Sequence, residues 1–131
     1  MINTVREFPL LLQNHLQDIL FQETSNDRYM YLYYADRYWT AFERSAFQLR
    51  RLYPDAELIP MKLSLASFPI LHANVRQDDL HKVVKRLACR KATTKERVYA
   101  VERIRNLSIY NKWHNEETRK LQTMLDQLHL C

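Results

Sequence analysis

The sequence predicts an α+β fold: a small mixed sheet of two to three strands with about five helices and a helical C-terminal half. Three observations carry this expectation. Apolar residues recur at helical spacing near the N-terminus and again from Asp78 onward. Tyr29-Met30-Tyr31-Leu32-Tyr33-Tyr34 concentrates residues that favour strands. Finally, Met61, Leu63 and Leu65 alternate with Lys62 and Ser64, the period of a half-buried strand.

Taken in chain order, Val5, Phe8, Leu12, Leu16, Ile19 and Leu20 predict a helix over about 3–21, with Asn3 or Thr4 as its cap. The polar cluster from Gln22 to Asp27 ends it and leads into the tyrosine strand. Asp36 is expected to cap a second helix, with Tyr38, Ala41, Phe42, Ser45, Ala46, Leu49 and Leu52 on one face, stopping at Tyr53-Pro54. The strand at 58–65 completes a strand-helix-strand crossover, right-handed if its strands are parallel neighbours. Phe68 to His72 is a candidate third strand, since two strands make a marginal sheet. Three further helical patterns follow: Leu80 to Leu87, Val98 to Leu107, and Leu121 to Leu128.

The 131 residues are read as a single domain. Hydrophobic residues at 47% and charged residues at 27% place the chain among folded globular proteins rather than disordered ones. Glycine is absent altogether. Phosphate-cradling P-loops and dinucleotide turns depend on it, so those nucleotide sites are excluded. No apolar run approaches the roughly 20 residues that span a bilayer, and MINTVREF carries no signal-peptide pattern. The expectation is a cytoplasmic protein without a membrane role. Cys89 and Cys131 make no disulfide framework, and a partly buried, inert Cys89 is expected.

The five histidines, His15, His72, His81, His114 and His129, show no HExxH motif and no spacing suited to a metal. Asp78 and Asp79 read as first-turn helix residues that complement the dipole. With neither a metal motif nor a nucleophile motif, no catalytic residue and no cofactor is assigned, and the reading favours a non-enzymatic protein.

Charge suggests the partner. Between His81 and Arg105 nine cations stand against Glu96 and Glu102, more excess charge than the +5 of the whole chain. Read as two basic helices, this segment offers Lys82, Lys85, Arg86, Arg90, Lys91, Lys95 and Arg97 to phosphates of DNA or RNA. An ordinary solvated face is the competing explanation. On the tyrosine strand, Tyr29, Tyr31 and Tyr33 share one side, suited either to stacking on bases or to lying under a helix. Arg37 is a further candidate neighbour. A protein partner or a homo-oligomer is the alternative, motivated by Leu121, Met124, Leu125 and Leu128 on one side of the last helix.

Tyr31-Leu32-Tyr33-Tyr34-Ala35-Asp36-Arg37-Tyr38-Trp39, followed by Phe42-Glu43-Arg44-Ser45-Ala46, resembles the amino-terminal mismatch-recognition domain of MutS-type DNA repair proteins. That family runs an apolar strand into Gly-Asp-Phe-Tyr-Glu and then a helix. Pro69 to Asn74 and Asp79 to Leu87 echo its later Pro-Met-Ala-Gly-Val-Pro-Tyr-His segment and the helix after it, so the likeness spans roughly Phe8 to Leu87. The resemblance implies a mixed α/β fold and a general nucleic-acid leaning. It does not imply mismatch reading: Arg37 stands at the family's stacking phenylalanine, Trp39 at its glutamate and Ala35 at its glycine.

Overall fold

The computed structural model of the chain describes residues 6–62 and 68–129. The elements run α1 (Glu7–Glu23), β1 (Tyr29–Ala35), β2 (Tyr38–Phe42), α2 (Glu43–Leu52), β3 (Glu57–Met61) and β4 (Ile70–Arg76). A 3₁₀ turn (Gln77–Asp79) then leads into α3 (Leu80–Val84), β5 (Cys89–Ala92), β6 (Glu96–Ala100) and α4 (Leu107–His129). The strands form one six-stranded sheet in the order β3-β4-β2-β1-β6-β5, and every pairing is antiparallel.

The fold is therefore α+β with four α-helices and six strands among the described residues. This corrects the expected mixed sheet of two to three strands, the five helices and the helical C-terminal half. The difference begins at Asp36, which caps no second helix but sits with Arg37 in the two-residue turn joining β1 to β2. Both have positive φ, 54° and 72°. Tight hairpins need that conformation, usually from Asn-Gly, and without a glycine the turn carries no sequence signal. Tyr38 to Phe42 consequently form a strand, and the expected crossover is replaced by a hairpin. The second correction lies at residues 89–100, where a strand hairpin replaces helix. Cys89 to Ala92 are exposed throughout, so this edge strand shows no apolar alternation.

Two layers of helix cover the sheet. On one face, Met30, Leu32, Trp39, Ala41, Ala73, Val75 and Tyr99 pack against Ala46 and Leu49 of α2, Leu80 of α3 and Trp113 of α4. On the other, Tyr33, Phe42 and Ile70 pack against Leu16 and Ile19 of α1. Full burial of each Leu, Ile, Val, Met or Phe side chain among these contributes about 1.5–3 kcal/mol, and of each alanine less.

The residues at the N-cap positions of α1 and α2 are Arg6 and Phe42, and neither makes a side-chain cap. Carboxylates from distant segments act instead. Asp36 accepts the amides of Glu7 and Phe8, both at 3.0 Å, while Glu7 accepts the amide of Asp36 at 3.1 Å. This reciprocal pairing is a capping box made across the fold. At α2, Glu23 accepts the amide of Ser45 at 2.8 Å and its hydroxyl at 2.6 Å. Helix α1 is thus fixed at one end to the β1–β2 turn and at the other to the start of α2. The caps expected at Asn3 or Thr4, the strand positions Leu63 and Leu65, and Cys131 lie outside the described residues.

Candidate nucleic-acid interface

The hydrogen bonds of β1 fix which of its tyrosines is open. Pairing to β2 covers only Tyr33 to Ala35: beyond Thr40, Ala41 and Phe42 pair with β4 alone before the chain enters α2 through Glu43, at φ 51°. Side chains then satisfy the free edge of β1. Ser45 Oγ accepts the amide of Tyr31 at 3.0 Å, Asn26 Oδ1 accepts that of Tyr29 at 3.0 Å, and Asn26 Nδ2 donates to the carbonyl of Tyr29 at 2.7 Å. A buried strand edge without such partners would cost about 1–3 kcal/mol per orphaned group.

Glu23 completes this network behind the strand. The residue is 2% exposed, and burial pushes its pKa up to about 7 despite the bonds from Ser45 and Asn26. Glu43 accepts the amide of Leu71 at 2.8 Å and contacts His114 Nε2 at 3.0 Å. Both carboxylates are engaged in holding elements together, which gives them a structural role. His72 lies against the rings of Phe8 and Phe42, and burial holds its pKa below the usual histidine value, as befits a core residue.

The tyrosine row divides. Tyr33 is 8% exposed under α1, with its hydroxyl 3.3 Å from Gln22, and burial raises its pKa. Tyr29 and Tyr31 are half-buried, their rings 6.2 Å apart at 62°, an edge-to-face arrangement. They line a groove of about 480 Å³ with Gln22, Val98, Arg90 and Lys91.

Two adjacent cations reach the same groove because of a register shift between Cys89 and Lys91 against β6. Successive side chains of a regular strand alternate faces, and a bulge interrupts the alternation. Arg90 and Lys91 therefore both flank the tyrosines. Lys91 pairs with Glu96 at 2.5 Å. The groove joins a half-open aromatic pair to a basic edge, so it offers stacking surface and phosphate contacts side by side.

The remaining candidates do not converge there. Lys82, Lys85 and Arg86 are exposed on and just after α3, on the opposite face of the sheet, where Lys82 lies 3.5 Å from Asp79. Arg97 stacks 4.9 Å above the buried ring of Trp39 on that same opposite face. Lys95, in the β5–β6 turn, pairs with Glu7 and sits 5.2 Å from the ring of Tyr34. Arg37 is at the tip of the β1–β2 turn, in a separate depression with Arg76 and Asp78. Cys89 is exposed rather than partly buried.

Sequence reasoning missed Gln22 and Val98 as lining residues, and gave Arg44 no role. The bulge that gathers the site has no sequence signal of its own, whereas the density of cations was a signal misread as helical. Among the described residues no helix is long and apolar enough to cross a membrane, and no cluster of His, Cys, Asp and Glu could hold a metal. Comparison with protein families, curated proteins and solved structures returned no match.

Proposed function

We propose that this chain is a small non-enzymatic nucleic-acid-associated protein whose β5–β6 hairpin contacts phosphates. The observation that carries the reading is the placement of Arg90 and Lys91 beside the half-open Tyr29 and Tyr31 in one groove. Cations supply sequence-independent affinity through counterion release, and aromatic faces supply stacking. The net charge of +5 favours association with a polyanion.

Binding to single- and double-stranded DNA and RNA, titrated against salt, tests it. Wild-type protein is expected to bind with Kd below about 100 μM, and affinity should fall as salt rises. The double substitution Arg90→Glu and Lys91→Glu is expected to weaken binding at least tenfold and flatten the salt dependence. Equal binding by both proteins would remove the hairpin from the function.

A second reading, self-association, is favoured by one observation: Met124 and Leu128 near the end of α4 are 54% and 66% exposed. Light scattering should then give a dimer mass that Met124→Glu with Leu128→Glu abolishes. A monomer in both proteins contradicts it.

A further inference from the structure

The groove does not end at Tyr29. Both tyrosines and Gln22 also line a neighbouring depression of about 530 Å³ that includes Arg28, Ser25 and Asp27. Ser25 and Asp27 in turn line a third cavity of about 810 Å³, with Thr24, Arg44, Arg103 and Arg105. Shared lining residues place the three depressions side by side, an open channel of adjoining hollows running from the β5 edge around the end of α1 to the start of α4.

The backbone that forms this channel is bolted in place. Beyond β6, the amide of Val101 donates to the carbonyl of Arg28 at 3.0 Å and that of Ile104 to the carbonyl of Asp27 at 2.7 Å. The line of β6 is thereby carried alongside residues 27–28 and delivers Arg103 and Arg105 to the far cavity. Val98, at the first groove, and Arg103 are five residues apart, a span of at most about 16 Å at ~3.3 Å per extended residue.

Charge along the channel is one-sided. Arg28, Arg44, Arg90, Lys91, Arg103 and Arg105 face two carboxylates, Glu96 and Asp27. Asp27 accepts from Arg103 through its Nε, at 2.7 Å, so the terminal nitrogens of that guanidinium are left for an anion. Arg44 donates to the carbonyl of Asn26 at 3.4 Å with its guanidinium over the ring of Tyr110 at 5.7 Å, a fixed rather than a free cation. Thr24 and Ser25 add hydroxyls to the same cavity.

We infer that this channel is a path for a single-stranded nucleic acid, with the Arg44–Arg103–Arg105 cavity as a second phosphate site beyond the tyrosine groove. The inference rests on the nucleic-acid reading above and adds its substrate class and route. Unpaired bases present the ring faces that Tyr29 and Tyr31 can stack against, whereas a duplex keeps its bases stacked inside and offers only edges and phosphates. Basic walls at both ends, with aromatics between, suit a strand lying along the channel.

Fluorescence anisotropy with labelled oligothymidylates and oligouridylates of about 3 to 12 nucleotides is the test, the range bracketing the lower site sizes of single-strand binders. Wild-type affinity is expected to rise with length and level off once both phosphate sites are spanned. Arg103→Glu with Arg105→Glu should leave the shortest oligonucleotides unaffected and remove at least tenfold of the gain with length. Arg105→Glu alone, at an exposed position outside the Asp27 pair, repeats the test without disturbing that contact and is expected to remove part of the gain. The fitted salt slope should fall by about 0.7 per lost contact.

An unchanged length dependence in both variants, with binding still weakened at least tenfold by Arg90→Glu and Lys91→Glu, overturns the channel and leaves the proposed function standing. Tighter binding to duplex than to single strands of equal length also overturns the channel. Absence of salt-sensitive binding to every oligonucleotide overturns both.

Discussion

Tyr33 and Tyr31 lie two residues apart on one side of β1 and are covered to different degrees, Tyr33 buried and Tyr31 half-buried at the edge of the same cluster. At Tyr33 the strand is flanked by β2 and covered by Leu16 and Ile19 of α1, so the ring belongs to the core. At Tyr31 the pairing with β2 has ended, Ser45 accepts the amide in its place, and the ring borders a groove. The periodicity of the strand is the same at both positions. What differs is which neighbouring element reaches that far, and this divides the sheet face into a covered part and an open part.

The division can be broken from behind the strand. Ser45→Ala removes both a donor to buried Glu23 and the acceptor for Tyr31, and is expected to destabilise the fold by about 2–3 kcal/mol in denaturant titration. A loss no greater than at an exposed serine would mean that the network does not hold the edge of β1.

Glu23 also gives the comparison a pH dependence. Its folded-state pKa of about 7 lies above the ordinary 4.5, so the folded state retains a proton that the unfolded chain releases. The associated stability is fully present below about pH 4.5 and is lost as pH rises through 7. Thermal midpoints should therefore fall over that window, and Glu23→Gln should flatten the decline. The same slope in the variant would assign the effect to other groups.

A smaller effect is expected at the opposite end of α1. Asp36→Ala removes the carboxylate that caps Glu7 and Phe8 and should cost about 1 kcal/mol. Asp36→Asn keeps an acceptor and should recover part of it. Helix α1 would then cover Tyr33 less firmly while the groove at Tyr31 stays unchanged.

These particular residues also show how far the sequence could be read. Periodicity located α1 and the 121–128 part of α4, strand-favouring residues located β1, and Tyr53-Pro54 marked the end of α2 at Leu52. Phe68 to His72 pointed to β4, which runs from Ile70 to Arg76. The signal failed where local chemistry was replaced by long-range contacts. The Asp36-Arg37 turn adopts positive φ without glycine, β5 is exposed on every residue, and in β6 Val98 and Tyr99 are both buried, so no alternation appears. Both trans caps depend on residues 22 to 29 positions away from the helix starts they serve.

The candidate site was legible in its ingredients but not in its assembly. Tyr29, Tyr31, Arg90 and Lys91 come together because antiparallel pairing sets β6 between β1 and β5, and because a bulge turns two consecutive cations to one side. Counting charges along the chain cannot separate these from Lys82, Lys85 and Arg86, which the sheet holds on its other face.

The most direct measurement substitutes Tyr31→Ala and Tyr33→Ala separately and records stability and oligonucleotide affinity for each. Tyr33→Ala should cost about 3–5 kcal/mol of stability, as buried aromatic truncations do. Tyr31→Ala should cost about 1 kcal/mol of stability and weaken single-strand binding about tenfold, the scale of one lost stacking contact. A folded Tyr31→Ala protein that binds as tightly as wild type would contradict the assignment of the open part of the sheet as the binding surface.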